Sequence, residues 1–127
     1  MMVEGGDLVQ IRCEVFPILL GAGRGARRVL RRLQYRAPRG SAMLSASRPW
    51  LLHAPVPFSF YPLARGAEDA LLLSVLFDIE PLAGDVLPLL LICDPSYLPF
   101  ATRHREELER RFVVRCATEM EGCYEAL

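Results

Sequence analysis

Apolar and polar positions change period several times along this chain, and each change marks an element. From Leu8 to Phe16 they alternate, with Val9, Ile11, Cys13 and Val15 on one side and Gln10, Arg12 and Glu14 on the other. A period of two predicts a half-buried strand. Pro17 has no N–H to give a ladder, which predicts looser pairing there or an edge position. Past Gly25 the apolar residues Ala26, Val29, Leu30 and Leu33 share one helical face, and Pro38 and Gly40 stand where that helix should end.

The middle of the chain, Ser41 to Gly66, carries Pro49, Pro55, Pro57 and Pro62. Short strands around Ala42–Ser47 and Val56–Tyr61 are expected between extended connections. In "ALLLSVLFDI", Leu71, Leu73, Val75, Phe77 and Ile79 fall on one side at period two. That spacing predicts a central strand over 70–79. "PLLLIC", 88–93, reads as its neighbour, and Pro81 and Gly84 between them predict a turn with an antiparallel return. A last helix is expected from Pro99 to about Val113, with Ala101, His104, Leu108 and Phe112 inward and the pairs Glu106–Arg110 and Glu107–Arg111 outward. A short strand and a closing helical turn follow. The expected architecture is α+β: one domain over 1–127, a small, mostly antiparallel sheet packed by two amphipathic helices.

Composition agrees with a single globular unit. The chain has 127 residues, 52% hydrophobic and 24% charged, enough to bury a core and too apolar for a disordered segment. "VLPLLLIC" is only eight residues long, against the roughly 20 a bilayer requires, so no membrane span is expected. The acidic opening "MMVEGGDLVQ" is unlike a secretory signal, which points to an intracellular protein, cytoplasmic or nuclear. Cys13, Cys93, Cys116 and Cys123 form no CxxC pair; free thiols are expected, and no metal site.

Charge changes the picture more. The formal net charge is zero, yet residues 15–65 hold nine Arg and no acid, while 66–127 hold twelve acids and five Arg. Two arrangements satisfy such a split: the halves neutralise each other, within a protomer or across a dimer, or the basic half meets an anionic partner. Seven of the Arg fall within residues 24–39. Arg24, Arg27, Arg28, Arg31, Arg32, Arg36 and Arg39, with Tyr35 among them, could follow a phosphate backbone, with Tyr35 stacking on a base.

Candidate chemistry is sparse. "GAGRGA", 21–26, fits G-x-G-x-x-A between a strand and a helix. A dinucleotide cradle, however, needs a first strand buried on both faces and an acid about 20 residues on. The alternating first strand and the acid-free "SAMLSAS" argue against it. The chain contains no lysine, which excludes Schiff-base and P-loop chemistry. His53 and His104 stand alone, and Asp94 in "CDP" reads as a turn residue.

From Glu68 to Val114 the order of apolar strand, Pro81, Pro88 with its strand, and helix resembles the second half of an RWD domain. That resemblance implies a protein-interaction module with no catalytic residues. Glu80 stands where the family has tyrosine, and the acidic first helix has no counterpart. The expected function is a non-enzymatic interaction module or subunit of a larger assembly. It would grip a protein partner or its own copy through the Arg-rich helix and the Pro/aromatic segment, without cofactor. The alternative is nucleic-acid binding through residues 24–39.

Overall fold

The computed structural model describes residues 14–22, 25–46, 56–64 and 66–116. Its centre is a five-stranded sheet in the order β3-β2-β1-β4-β5. The strands are β1 Val15–Leu20, β2 Ser41–Ser45, β3 Phe58–Pro62, β4 Leu87–Ile92 and β5 Val113–Cys116. Every pairing is parallel. The helices are α1 Gly25–Leu33, α2 Asp69–Ile79, α3 Leu98–Arg103 and α4 Arg105–Glu109, with single 3-10 turns at Gln34–Arg36, Glu80–Ala83 and Pro95–Tyr97.

The fold is therefore α/β, and the mostly antiparallel α+β sheet expected above is incorrect. The error lies in residues 70–79, which form helix α2 and not a strand. This run is apolar almost all round, so a period of two and a period of 3.6 both fit it. Burial shows which one the chain uses: Leu72, Leu76 and Ile79 are buried, at helical spacing, while Leu71 is half exposed. With a helix between β3 and β4, the chain crosses back over the sheet and β4 runs parallel to β1. The Pro81 and Gly84 segment closes α2 as a 3-10 turn and makes no hairpin. Over residues 68–114, where the order strand, strand, helix was expected, the order is helix, strand, two short helices and the start of a strand.

β1 and β4 are buried strands of "VFPILL" and "LPLLLI", near-continuous apolar runs of the kind that sheets covered on both faces require. One cluster joins Val15, Leu19, Met43, Leu89 and Leu91 to the inner stripe of α1, Ala26, Val29, Leu30 and Leu33. The other joins Phe16, Ile18, Leu44, Leu90 and Ile92 to Leu72 and Leu76 of α2, Phe100 of α3 and Leu108 of α4. Helices thus cover both faces, and the sequence alternation expected from Leu8 falls mostly on residues outside the described ones.

Pro17 lies in a central strand, contrary to the edge expected for it. The Gly21 amide bonds the Leu44 carbonyl, so odd-numbered residues of β1 face β2. Pro17 is one of them, but the ladder with β2 begins only at Ile18 and Ala42. Pro88 repeats the device. The Cys93 amide bonds Leu20, which turns Pro88 toward β5, and that ladder starts at Leu89 and Val113. Each proline points its missing donor at a neighbour that has not yet begun.

Candidate functional site at the carboxyl edge of the sheet

The strand order reverses direction at β1, which lies between β2 and β4. In open parallel sheets the crevice beyond the carboxyl ends of the strands at such a point is the usual ligand site. A pocket of about 460 Å³ lies there. Ser45 and Ala46 border it at the end of β2, and Asp94, Ser96 and Tyr97 border it just after β4. Leu72 and Phe100, both buried, supply apolar lining; Ala64, Gly66 and Ala67 leave room; Asp69 and Arg103 add charge.

Backbone geometry shapes this end of β1. Gly21 has φ of +99°, a value that side-chain-bearing residues rarely adopt. A Cβ there would overlap the Asp94 Cβ, so the chain after β1 passes directly against the chain after β4. Asp94 in turn accepts the Ser96 amide on Oδ1 at 3.0 Å and caps the 3-10 turn. That is the turn role expected of it. Burial, and then the nearby Asp94 charge, raise the Tyr97 phenol above its ordinary value, so it enters the site neutral.

Asp69, in the first turn of α2, meets two cations from α3 and the α3–α4 junction. Arg103 donates Nε and Nη2 to it at 2.8 and 3.0 Å, and His104 Nε2 lies 2.8 Å from its Oδ2. The other ring nitrogen of His104 lies 3.0 Å from Glu107. Ionised carboxylates only accept, so a ring with a carboxylate at each nitrogen is an imidazolium. The bonds to Glu107 and Asp69 hold its pKa above the usual histidine value. The bonds Asp69 accepts, from Arg103 first and then His104, lower its carboxyl to about 2. His104 sits at φ −115°, ψ 25°, where the expected single helix from Pro99 divides into α3 and α4. The outward pair formed is Arg105–Glu109, while Arg111 turns to Glu80 and lies over the Phe77 ring.

The arginine-rich segment lies elsewhere. α1 packs on the opposite face of the sheet from α2, α3 and α4. Arg24 is outside the described residues, and Arg31 is exposed. Tyr35 is 91% exposed. Arg28, Arg32 and Arg36 each take part in a bonding, ring or electrostatic contact. Arg27 is half buried, and its Nε has no hydrogen-bond partner among the described residues. Arg39 leaves the group: its guanidinium packs on Gly84, in the connection that follows α2.

His53 lies outside the described residues. Cys93 and Cys116 are buried free thiols. Burial above all pushes Cys93 to about 12, which leaves no thiolate for nucleophilic work near neutral pH. Among the described residues no group of three or more His, Cys, Asp or Glu could hold a metal ion, and no helix is long and apolar enough to cross a membrane.

Sequence reasoning passes over Asp69 and Arg103, because a strand over 70–79 gives Asp69 no helix to start. The signal is present in "GAED", a glycine followed by acids ahead of an apolar run, which is a helix-start pattern. β1 is buried on both faces, as a dinucleotide cradle at 21–26 would require and contrary to the half-polar strand expected, but β2 ends in Ser45 and Ala46, with no acid to meet a ribose. No protein-family model, no curated protein and no solved structure matches this chain.

Proposed function

We propose that the chain is a ligand-binding α/β domain that takes a small polar organic molecule in the pocket beyond β2, β1 and β4. The observation that carries this reading is the coincidence of the pocket with the point where the strand order reverses. The volume is within the range of small-molecule sites, and a few polar groups converge over an apolar floor. Ser96 and Asp94 offer a hydroxyl and a carboxylate as partners, and Leu72 and Phe100 an apolar surface. The test is thermal stabilisation of the full chain by a panel of ribose, ribose 5-phosphate, gluconate, AMP and free amino acids. Saturable stabilisation is expected from at least one. Ala46 and Ala64 are exposed at the rim, so Ala46→Trp or Ala64→Trp should block binding without harming the core. No saturable response, or one that both tryptophans leave intact, overturns the reading.

A second reading keeps the arginine-rich face as an interaction surface for a protein or nucleic-acid partner. Tyr35, an almost fully exposed aromatic between Arg31 and Arg39, favours it. Retention on heparin or labelled RNA should fall steeply with salt and be lost when Arg27, Arg28, Arg31 and Arg32 are changed together to Gln. Salt-insensitive or absent retention removes the nucleic-acid form. Loss, in the same variant, of a co-purifying protein would support the protein form.

A further inference from the structure

We propose that Arg103 is the group that selects the ligand, and that the pocket prefers a hydroxylated molecule carrying an oxyanion, a phosphomonoester or a carboxylate, over its neutral counterpart. This inference deepens the ligand-binding reading above and rests on it. Arg103 lines the pocket, and its guanidinium is already oriented. One edge, Nε and Nη2, is committed to Asp69. A guanidinium carries five N–H donors, so the donors of Nη1 and the second of Nη2 remain for a ligand. A guanidinium held in place by one carboxylate loses less freedom on gripping a second anion.

Arg103 and His104 face Asp69 and Glu107, two cations against two carboxylates, so what Arg103 offers a ligand is its unspent, directed N–H donors and not an excess of charge. Arg103 is also the only arginine lining this pocket among the described residues. Asp94 also lines the pocket; it commits Oδ1 to the Ser96 amide, and its second oxygen can accept a hydroxyl but would repel an anion. The two residues therefore ask for different groups. A hydroxyl fits beside Asp94 and an oxyanion fits beside Arg103, which is the layout of a sugar acid or sugar phosphate.

The experiment compares ribose, ribose 5-phosphate and gluconate, titrated calorimetrically against the full chain at low salt. At least one anionic probe should bind about tenfold or more tightly than ribose, the scale of a charge-assisted hydrogen bond. Phosphate above gluconate, or the reverse, identifies which oxyanion is meant. Arg103→Gln should bring the anionic probes down to the ribose level while ribose binding persists, which shows that the variant is folded. Arg103→Lys, which keeps the charge and loses the fork, should fall between. Equal binding of ribose and both anions, or a preference that survives Arg103→Gln, overturns this inference and leaves the pocket assignment standing. Failure of every probe in the wider panel overturns both.

Discussion

Gly21→Ala tests how tightly the two central strand ends are set against each other. Two costs add. Alanine must hold a φ of +99°, which costs about 1–2 kcal/mol for a side-chain-bearing residue. Its Cβ must also displace the Asp94 Cβ and crowd the Asp94 amide at 3.0 Å, an overpacking term of about 1–3 kcal/mol. The sum is about 3 kcal/mol. For a chain of 127 residues each kcal/mol moves the melting temperature by roughly 4 °C, so a fall of roughly 12 °C is expected by differential scanning calorimetry. Gly66→Ala is the internal control. Gly66 has φ of +68°, and a methyl group at that position would meet nothing within 4 Å, so only the backbone cost of about 1–2 kcal/mol applies and the fall should be roughly 4–8 °C. Removing the obstructing Cβ in Gly21→Ala/Asp94→Gly should recover about 1–2 kcal/mol relative to the sum of the single changes. If Gly21→Ala melts with Gly66→Ala, or if the double change is additive, the close approach of the two loops is wrong, and with it the shape of the pocket.

Three further outcomes follow from the same geometry. Leu76→Ala, at a fully buried position of α2, should cost about 2–5 kcal/mol in urea unfolding, whereas Leu71→Ala, half exposed, should cost under about 1 kcal/mol; equal costs would restore the strand phase for residues 70–79. The stabilisation from His104 should be fully present below the ordinary histidine value, near 6.5, and be lost as pH rises through its raised folded value. That from Asp69 should be present above about 3.8 and be lost as pH falls toward 2; urea midpoints of wild type and His104→Gln that run parallel across pH 6 to 9 would contradict the clamp. Cys93, buried and with its thiol held near 12, should resist iodoacetamide at pH 8 in the native protein and react in guanidinium; rapid native labelling at Cys93 by mass spectrometry would refute its burial.

What the sequence discloses depends on how many readings each stretch allows. α1 is legible because its apolar residues recur at helical spacing against a background of arginines, and no other period fits such contrast. The strands at Ser41–Ser45 and Phe58–Pro62 lie within or beside their expected ranges, since proline and glycine bound them. α2 is misread because its contrast is low: Leu71, Leu72 and Leu73 are consecutive, and only the packing of Leu72 and Leu76 distinguishes helix from strand. From that one misreading the antiparallel sheet follows. It also hides the site, because Arg103 and Asp69 lie 34 positions apart and meet only when a helix begins at Asp69. Asp94 is recognisable as a turn residue, but its place beside Gly21 depends on β1 and β4 being parallel neighbours.

The division of charge along the sequence becomes a division between faces. α1 lies on one side of the sheet, and α2, α3 and α4 lie on the other. The acidic side draws on its own cations: Asp69 binds Arg103 and His104, Glu107 binds His104, Glu109 binds Arg105 and Glu80 faces Arg111. Each of these pairs joins residues of the second half, so they do nothing to neutralise α1. Helices about 10 Å across on either side of the sheet keep the outer charges apart by more than the Debye length of about 8 Å at physiological salt. The arginine face and the pocket are then electrically separate, and effects at well-separated sites add. Arg31→Gln should leave ligand affinity at the pocket unchanged, and Arg103→Gln should leave heparin retention unchanged. Cross-talk in either direction would mean that the two faces share a charge network which the sheet, on this geometry, keeps divided.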